Sequence, residues 1–380
     1  MKGSSETLTT RDNERIAILD ILRGFALIGI FLVNMLDFSG SGLRADTIGL
    51  RGGPLDRLAD VCVVMFAVTK FYLLFSFLFG VGFAIQMQRM EQSGRNFVRV
   101  YSRRLFVLLL IGLAHSILVW DGDILRLYAV AGALMIPLRA VRTRTLVTLA
   151  GIIMLCGTVY FSAVPLEKAS TLMARTDLSV YTAGSYADLV KHRLADTAVL
   201  DIQIPMVFVM FFLGLAMGRA GVMGRIHEYA HVLRRTLWWT LPAGLAGSVL
   251  MLVGYVDKDP RWVSVSVHVG APLLSYSYAV LVVSASERLG FLAYAGRMAL
   301  TNYLMQSLVS TTIFYGYGFG LYDSLSPLQS NIAALGIFMM QLLVSRWWLH
   351  RATMGPMEWL WRSLTYGRMP GLLKASGSSR

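Results

Sequence analysis

Arg15-Ile-Ala-Ile-Leu-Asp20-Ile-Leu-Arg23-Gly24-Phe-Ala-Leu-Ile-Gly-Ile-Phe-Leu-Val-Asn34 is an apolar segment that carries an acid, a guanidinium and an amide. It is long enough to cross a bilayer, which takes about 20 helical residues. Ionisable groups in hydrocarbon cost several kcal/mol, so they usually face a bundle interior or an aqueous cavity. Positions 20, 23 and 34 lie close to one helical face, because eleven residues at about 100° each return to within roughly 20° of the start. The segment therefore predicts a membrane helix whose polar face runs between the two sides of the bilayer.

The composition of the chain indicates a polytopic membrane protein. Hydrophobic residues make up 56% of its 380 residues, charged residues 15%, and the mean hydropathy is +0.59, whereas a soluble domain carries roughly 25% charged residues. We predict an all-α fold that forms one membrane domain over residues 1–380, with about ten transmembrane helices. The predicted spans are 16–36, 60–88, 105–120, 124–138, 146–164, 203–218, 236–256, 263–286, 299–320 and 328–349.

The distribution of Lys and Arg predicts that both termini lie in the cytoplasm. With this orientation, 23 of the 35 basic residues fall in cytoplasmic segments and ten in outer loops, as the positive-inside rule requires. Residues 165–200 then form an extracytoplasmic loop. Residues 350–380 form a cytoplasmic interfacial tail, since they mix Trp, Tyr and Arg. The net charge of +13 is spread over the inner loops and the tail, so we expect a lipid bilayer and not nucleic acid as the partner.

A short hairpin, His115-Ser-Ile-Leu-Val-Trp-Asp121-Gly-Asp123-Ile-Leu-Arg126, gathers groups suited to proton transfer. Each of its arms gives roughly 24 Å of helix, less than a hydrocarbon core of about 30 Å, and short spans interrupted by Gly point to binding sites. We expect both acids to lie near His115 and Arg126, and an imidazole changes its protonation near neutral pH. The alternative is that the acids cap the returning helix while Arg126 pairs with one of them.

Further cations lie near both sides of the predicted membrane. Arg103 and Arg104 precede the first arm of the hairpin, and Arg104 lies eleven residues before His115, on the same helical face. Positive-inside anchoring is the alternative explanation for this Arg pair. Lys70 lies inside the second span, where it either pairs with Asp37 or extends its ammonium group outward.

The ninth span carries two amides in its interior. Arg297 lies at its cytoplasmic interface, and Asn302 and Gln306 follow on successive turns. These amides either line a site or form hydrogen bonds between helices. The sequence has no phosphate-binding loop, dinucleotide fingerprint, nucleophile elbow or His-Glu-x-x-His helix. Two cysteines are too few for a thiolate cage, so we expect no metal.

Five blocks of sequence, spread in order over nearly the whole chain, carry a family resemblance. They are Arg15-Ile-x-x-Leu-Asp20-x-Leu-Arg23-Gly24 with Asn34, Phe75-Ser-Phe-Leu-Phe-Gly80, Gly112-Leu-Ala-His115 with Gly122-Asp123, Gly296-Arg297-Met-Ala-Leu-Thr301-Asn302-Tyr-Leu-x-Gln306, and Gly355-Pro356-x-Glu358-Trp-Leu-Trp-Arg362. On these blocks the chain resembles the YeiB-like family of bacterial inner-membrane proteins, also called domain of unknown function 418. The resemblance implies a multi-pass protein of the bacterial inner membrane.

The opening helix is also similar to that of membrane acyltransferases of the acyltransferase-3 and heparan glucosaminide acetyltransferase type. That resemblance implies transfer of an acyl group from cytoplasmic acyl-CoA to a sugar or other acceptor on the far side of the membrane. In the acyltransferase-3 pattern an Arg is followed, after ten residues, by a His, but here Arg23 is followed by Asn34. An amide cannot act as a base, although it can hydrogen-bond a carbonyl oxygen. The base role then falls to His115, supported by Asp123.

We therefore expect an acyltransferase that uses acyl-CoA, with acetyl as the expected acyl group and a hydroxyl or amine as the acceptor. The alternative is a small-molecule transporter or exporter with a buried charge relay, and a homodimer is left open. The predicted catalytic residues are His115, Asp123, Asn34 and Asp121, the predicted acceptor-side residues are Lys70, Asp37, Arg126, Asn302 and Gln306, and the predicted donor-binding cations are Arg23, Arg103, Arg104 and Arg297.

Overall fold

A computed structural model of the chain describes residues 2–40, 52–164, 179–196 and 204–374. Parts of the predicted outer loops and the last six residues of the tail therefore lie outside the described residues. Within the described residues the fold is helical, apart from an isolated β-bridge between Ala352 and Leu373. The α-helices are α1 (Lys2–Phe38), α2 (Pro54–Phe66), α3 (Lys70–Gln92), α4 (Phe97–Leu118), α5 (Leu125–Leu138), α6 (Thr143–Ala163), α7 (Ser179–Thr182), α8 (Tyr186–Asp196), α9 (Ile204–Arg219), α10 (Ile226–Val256), α11 (Pro260–Val265), α12 (Ala271–Ser284), α13 (Ser286–Leu289), α14 (Leu292–Arg297), α15 (Ala299–Phe314), α16 (Pro327–Arg351) and α17 (Pro356–Tyr366). A 3-10 turn (Val222–Arg225) precedes α10, and a π-helical turn (Ser266–Gly270) joins α11 to α12.

Several of these helices are long and apolar enough to cross a membrane. Hydrocarbon offers no hydrogen-bond partners, so a spanning segment must satisfy its backbone internally, as a helix does. Six candidate spans meet this description among the described residues: Ala17–Phe38, Pro54–Gln92, Thr143–Ala163, Glu228–Val256, Pro260–Ser284 and Pro327–Arg351. Two shorter apolar helices, Leu125–Leu138 and Ile204–Arg219, accompany them. The chain is an all-helical, multi-pass membrane protein.

The bundle has two ends, which we name by their contents. The turn end carries the hairpin turn between α4 and α5, and the tail end carries α17. Helix α1 joins them, because Arg23 is within electrostatic reach of Arg104 at the tail end, while the Phe38 ring lies 4.5 Å from that of Trp120 at the turn end. Helix α4 runs in the same direction, since Trp361 of α17 donates from Nε1 to the carbonyl of Arg104 over 2.9 Å.

Local sequence signals begin and end the helices. The side chain of Asn96 accepts a hydrogen bond from Arg99 N over 3.1 Å and caps α4. Ser326 and Gln329 form a reciprocal capping box at the start of α16. Gly367, at φ +64°, ends α17 in the left-handed conformation that a glycine adopts without steric cost.

Glycines allow two pairs of helices to touch backbone to backbone. A Cβ added at Gly24 of α1 or at Gly296 of α14 would overlap a carbonyl oxygen of the other helix. The same holds for Gly80 of α3 and Gly214 of α9. Small residues are the usual means of close helix packing in membranes, where lipid removes the hydrophobic drive for association.

The second predicted span is interrupted in the structure. The sequence predicts one span over 60–88, whereas α2 ends at Phe66 and α3 begins at Lys70. Thr69 between them has φ +72° and ψ −35°, a strained conformation for a β-branched residue. The freed carbonyl of Phe66 accepts a hydrogen bond from the Tyr278 hydroxyl over 2.9 Å. Hydropathy alone does not reveal such a break, because residues 67–69 are ordinary components of an apolar helix.

Two short helices, α7 and α8, lie over the hairpin turn. The hydroxyl of Tyr181 in α7 donates to Asp121 Oδ2 over 3.0 Å. The hydroxyl of Tyr186 in α8 donates to the carbonyl of Leu118 over 2.8 Å. We call these two helices the cover. They come from the predicted loop 165–200 and close the turn end of the hairpin.

Candidate functional site

A buried contact between His115 and Asp123 forms the centre of the candidate site. Nδ1 of the imidazole lies 2.9 Å from Oδ1 of the carboxylate, and the two side chains are only 2% and 0% exposed. When Nδ1 donates to the carboxylate, Nε2 presents its lone pair. Within the part of the chain that the structure describes, Nε2 has no hydrogen-bond partner. A carboxylate that fixes one nitrogen while the other is available is the arrangement of a general base.

The shape of the hairpin turn brings these two residues together. Trp120 N donates to the carbonyl of His115 over 2.9 Å as α4 ends, and the chain then folds back. Gly112 lies one turn before the imidazole, where an added Cβ would come within 2.8 Å of Arg126 N and 2.9 Å of Asp123 Oδ2. Only a glycine lets α4 approach the backbone at the start of α5 so closely.

Asp123 holds the imidazole and the returning helix at the same time. Its Oδ2 accepts a hydrogen bond from Arg126 N over 2.9 Å, near the start of α5, and lies 3.9 Å from Arg126 Nε. The capping role that the sequence offers as an alternative is therefore present. It uses one carboxylate oxygen and leaves the other for His115, so capping and proton handling do not compete.

Tyr303 also belongs to the site, although no sequence pattern assigned it a role. Its ring centroid lies 5.3 Å from that of His115, and its hydroxyl accepts a weak hydrogen bond from Ile124 N over 3.3 Å. The side chain is buried. The available signal was its position between Thr301-Asn302 and Gln306 in a quoted block, but an aromatic residue in an apolar helix is usually part of the core.

The structure does not bring Asp121 to the imidazole. Its Oδ2 accepts from the hydroxyl of Tyr181 in the cover, and its backbone carbonyl accepts from Arg126 Nη2 over 3.4 Å. Asp121 therefore belongs to the contact between hairpin and cover, and the printed hydrogen bond of the imidazole goes to Asp123 and not to Asp121.

Asn34 and Asp37 lie near the turn end of α1. Asn34 is half-buried and precedes Phe38, the residue that packs on Trp120, by one helical turn. Its amide makes no hydrogen bond among the described residues, and none joins it to His115. Asp37 is exposed. The structure thus places the amide and the imidazole at the same end of the bundle.

The predicted donor-binding cations lie at the tail end. Arg23 Nη1 donates to Asp20 Oδ1 over 2.9 Å. Arg297 is within electrostatic reach of Asp20, and its Nη2 donates to the carbonyl of Thr353 over 3.2 Å. One carboxylate of α1 therefore faces two guanidinium groups, which leaves net positive charge at this end.

Arg104 extends the same cluster of cations. Its guanidinium carbon lies 3.9 Å from the ring centroid of Trp361, a cation–π contact. Arg23 and Arg362 both act on it electrostatically, so three cations share this region. Arg103 is exposed beside it. Planar guanidinium groups bind phosphate oxygens in pairs, which makes this cluster suited to a phosphate-bearing ligand.

Glu358 joins the tail to the bundle in a way that the sequence does not reveal. Its Oε1 accepts from Leu300 N over 2.7 Å and from Thr301 N over 3.1 Å, and its Oε2 accepts from Thr301 Oγ1 over 2.5 Å. Glu358 lies in the first turn of its own helix, α17, and its carboxylate also caps α15. Burial raises the pKa of this carboxyl, although the hydrogen bonds from Thr301 act in the opposite direction.

The amides of the ninth span form hydrogen bonds between helices. Asn302 Nδ2 donates to Ser345 Oγ over 2.9 Å and to the carbonyl of Ala295 over 3.2 Å. Gln306 Nε2 donates to Gln341 Oε1 over 3.0 Å. These contacts join α15 to α16, so interhelical bonding accounts for Asn302. Gln306 Oε1 is buried without a hydrogen-bond partner among the described residues.

Lys70 neither pairs with Asp37 nor extends to the surface. The side chain is fully buried; its Nζ donates to the carbonyl of Val64 over 3.1 Å and lies 3.9 Å from Met251 Sδ. The physical reason is the end of α2 at Phe66, since the last carbonyls of a helix lack intrahelical donors. Both expectations for Lys70 are therefore wrong.

The arrangement offers proton transfer at the turn end and phosphate binding at the tail end. Arg104 and His115 are separated by eleven residues of α4, or about 16 Å of helix. Among the described residues, no three His, Cys, Asp or Glu side chains come together as metal ligands would.

Comparison with known proteins identifies the family. The chain is 34% identical to "Uncharacterized protein YxaH" of Bacillus subtilis (strain 168) over 96% of its own length and 97% of that protein. The chain belongs to the YeiB-like DUF418 family. "Uncharacterized protein YeiB" of Escherichia coli (strain K12) is 29% identical over 93% of this chain and 96% of its own length. A protein described as "Uncharacterized 39.9 kDa protein in amylase 3'region", from Bacillus acidopullulyticus, is 31% identical over 95% of this chain and 97% of its own length.

The family described as "Protein of unknown function (DUF418)" matches residues 217–368 of this chain. That match includes Arg297, Tyr303 and Glu358 of this DUF418 protein. The hairpin with His115 and Asp123 lies before it, within the length over which the relatives align. The resemblance to the YeiB-like family drawn from the five blocks is confirmed.

Proposed function

We propose that this protein transfers an acyl group from cytoplasmic acyl-CoA to a hydroxyl or amine of an acceptor at the far side of the bacterial inner membrane. The observation that carries the proposal is the buried His115–Asp123 pair, with its 2.9 Å contact and its available Nε2. A buried imidazole oriented by a carboxylate serves to move protons. An acyl acceptor such as a sugar hydroxyl needs a base of this kind.

The proposal includes ten membrane crossings with both termini in the cytoplasm, so that the tail end is the cytoplasmic one. The excess of Lys and Arg in the segments at the tail end supports this orientation. Helices α4 and α15 add to the six candidate spans and the two shorter apolar helices, and bring the number to ten. The short arms of the hairpin require a thinned bilayer or a recessed turn at the outer side.

The donor would bind with its phosphates on the cations at the tail end, namely Arg23, Arg103, Arg104 and Arg297. The pantetheine arm of CoA is on the order of 15–20 Å long when extended. That length matches the rise of α4 between Arg104 and His115, about 16 Å. A thioester held in this way would reach the imidazole while the nucleotide stays on the cytoplasmic side.

Proton transfer at Nε2 then completes the reaction. The acceptor O–H or N–H donates to His115 Nε2, and its proton passes to the imidazole as the acceptor atom bonds to the thioester carbonyl carbon. The C–S bond breaks, its electron pair stays on sulfur, and the proton returns from Nε2 to the CoA thiolate. Asp123 holds Nδ1–H throughout and stabilises the imidazolium. Asn34 would donate its amide N–H to the oxyanion.

The test uses the full-length protein in nanodiscs, with both faces open. Acetyl-CoA binding is measured by calorimetry, and transfer by the appearance of radiolabelled acetyl groups in cell-envelope extract and of free CoA thiol. His115→Ala should keep its affinity for acetyl-CoA within twofold and lose transfer by about 10²–10⁴-fold, the usual contribution of a general base. His268→Ala is the matched control, because His268 is also a buried membrane histidine, with Nδ1 bound to the carbonyl of Ser264.

Two results would contradict the proposal. Absence of any CoA affinity in the wild-type protein would end it. Equal transfer by the wild-type protein and His115→Ala would remove the base from the mechanism.

A second candidate function is transport of a small molecule, and the interrupted helices favour it. The break at Thr69 beside the buried Lys70, and the π-helical turn that holds His268, give two discontinuous membrane segments. Discontinuous helices form the binding sites of many transporters. Proteoliposomes that accumulate a solute without acyl-CoA, and without a chemical product, would favour transport over acyl transfer.

A further inference from the structure

Arg193 of the cover is a fully buried guanidinium whose charge has no ion-pair partner among the described residues. Its side chain is 0% exposed, and within the described residues no carboxylate lies within ion-pair distance of it. In the part of the chain that the structure describes, it makes one hydrogen bond, from Nη1 to the carbonyl of Ile117 over 3.5 Å, the limit for such a bond. Nε and Nη2 are buried without a hydrogen-bond partner within the described ranges.

The position of Arg193 in its helix makes this burial unusual. In α8, Tyr186 and Leu189 lie on the face that packs against the hairpin, and Leu189 is also 0% exposed. Arg193 continues that face, since it follows Tyr186 by seven residues, or about two helical turns. It thus occupies a position where an apolar residue would fill the core. A residue selected only for packing would not carry a charge there.

The neighbouring groups that the structure describes do not compensate the charge. The ring centroid of Tyr315 lies 5.9 Å from the guanidinium carbon, at the outer limit of a cation–π interaction. Capping of α4 through Ile117 uses one of the five N–H donors of the guanidinium. Arginine stays protonated at any ordinary pH, so it cannot escape the cost of burial by losing its proton. A buried guanidinium of this kind needs an anion.

Arg193 lies at the end of α4 that carries His115. Ile117 lies two residues beyond His115 on α4, and Tyr181 of the cover, 5.1 Å from Tyr315 between ring centroids, donates to Asp121 in the same hairpin. A ligand group bound to Nε and Nη2 of Arg193 would therefore hold the rest of the ligand near the turn end of α4. Two adjacent N–H groups of a guanidinium match two oxygens of a carboxylate or phosphate.

We propose that Arg193 anchors an oxyanion, a carboxylate or phosphate group, of the acceptor molecule between the cover and the hairpin. The acceptor is then an acidic compound, such as a sugar acid or a sugar phosphate. In naming the acceptor, this inference rests on the proposed acyl transfer, whereas the anion site itself does not.

The test measures anion binding by the full-length protein in detergent, without acyl-CoA. The probes are glucuronate and inorganic phosphate, with chloride at equal ionic strength and neutral glucose as references, and the readouts are calorimetry and the thermal unfolding temperature. The wild-type protein should bind one of the two anions more tightly than chloride, and the better anion identifies the carboxylate or the phosphate as the natural group. Arg193→Gln should weaken that binding at least tenfold. The anion affinity of Arg193→Lys should lie between those of the wild-type protein and Arg193→Gln, because lysine keeps the charge and loses the paired donors.

Arg261→Gln is the matched control. Arg261 is exposed and already paired with Asp259 through Nη2 and Oδ2 at 2.7 Å, so its replacement should leave anion binding unchanged. Arg193→Met adds a second readout, because removal of an unpaired buried charge should give an anion-free protein that unfolds at the same or a higher temperature. If Arg193→Gln does not fold, the anion affinity of Arg193→Met replaces it in the comparison with the wild-type protein.

Anion affinity equal in the wild-type, Arg193→Met and Arg193→Lys proteins would overturn the proposal, as would a wild-type protein with no preference over chloride. Binding that depends on Arg193 in a protein that fails to transfer acetyl groups would keep the anion site and reject the acyltransferase. Transfer to acidic and neutral acceptors alike, unaffected by Arg193→Gln, would reject the anion site alone.

Discussion

Replacing Glu358 by alanine removes the acceptor that joins the tail to the first turn of α15. In the wild-type protein the carboxylate accepts from Leu300 N, Thr301 N and Thr301 Oγ1 at 2.7, 3.1 and 2.5 Å. Thr301 Oγ1 itself accepts from Met357 N over 3.1 Å. Alanine leaves two backbone N–H groups of α15 without an acceptor, and the hydroxyl of Thr301 cannot serve both.

The expected loss follows from these two orphaned donors. Each buried N–H without an acceptor costs about 1–3 kcal/mol, and a helix start regains part of this by contact with water. We expect Glu358→Ala to lower the free energy of unfolding by about 2–4 kcal/mol, which corresponds to a Tm lower by roughly 5–10 °C. Glu358→Gln keeps an acceptor oxygen of the same reach and should stay within about 1 kcal/mol of the wild-type protein.

The pH dependence of stability distinguishes the role of Glu358 as a hydrogen-bond acceptor from the role of its charge. Burial raises the pKa of Glu358 above its ordinary value, so between the two values the folded protein holds a proton that the unfolded chain has lost. The stability contributed by this group is therefore highest at low pH and falls as the pH rises through that window. The Tm of the wild-type protein relative to Glu358→Gln should fall over the same range and then become constant.

The assay is thermal unfolding in detergent from pH 4 to pH 8, with trypsin cleavage at Arg362 as a report on tail release. Glu287→Ala, which replaces an exposed glutamate between α12 and α14, is the control and should match the wild-type Tm. A Glu358→Ala protein with unchanged Tm and an equally protected tail would refute the cap. Equal losses for the Ala and Gln variants would show that the charge, and not the acceptor, holds the tail.

Three further predictions concern the hairpin and the interrupted span. Gly112→Ala should lower stability by about 1–3 kcal/mol because its Cβ would meet the backbone at 2.8 Å; Gly151→Ala, with open space around its Cβ, should have the Tm of the wild-type protein. Asp123→Asn should retain acetyl-CoA affinity in calorimetry and lose acetyl transfer by about 10²–10⁴-fold, and undiminished transfer would exclude the pairing with His115 from the mechanism. Thr69→Gly should raise the Tm, because glycine relieves about 1 kcal/mol of backbone strain. Thr69→Ala should not raise the Tm. Equal Tm values for both variants would show that position 69 is unstrained.

Sequence reasoning predicted the helical class and the central pair of the site for a physical reason. The spacing of His115, Asp123 and Arg126 around a short turn leaves little freedom, since two helical arms joined by a few residues must bring their ends together. A separate argument, the concentration of Lys and Arg on one side of membrane proteins, predicted the cations that the structure places at the tail end.

Contacts that depend on tertiary packing were beyond such reasoning. Lys70 binds a carbonyl that is available only because α2 ends at Phe66, and no residue type in that segment marks the break. Arg193 belongs to a loop in sequence, where a charge is normally solvated, and its burial follows from the docking of α8 on the hairpin. Glu358 caps a helix 57 residues earlier in the chain, which no local pattern encodes.

Saturation of hydrogen bonds divides the buried polar residues of this protein into two groups. The amide nitrogen and oxygen of Asn302 both form hydrogen bonds with Ser345 Oγ. Asn302 therefore holds two helices together, and its polar groups are already paired. His115, Arg193 and Gln306 are as deeply buried, yet each keeps a donor or acceptor without a partner among the described residues. In hydrocarbon an unmet polar group is costly, so the groups that retain one are the better candidates for ligand contact. Two of these three lie at the turn end, on the hairpin and on its cover, which supports the proposal that proton transfer takes place there.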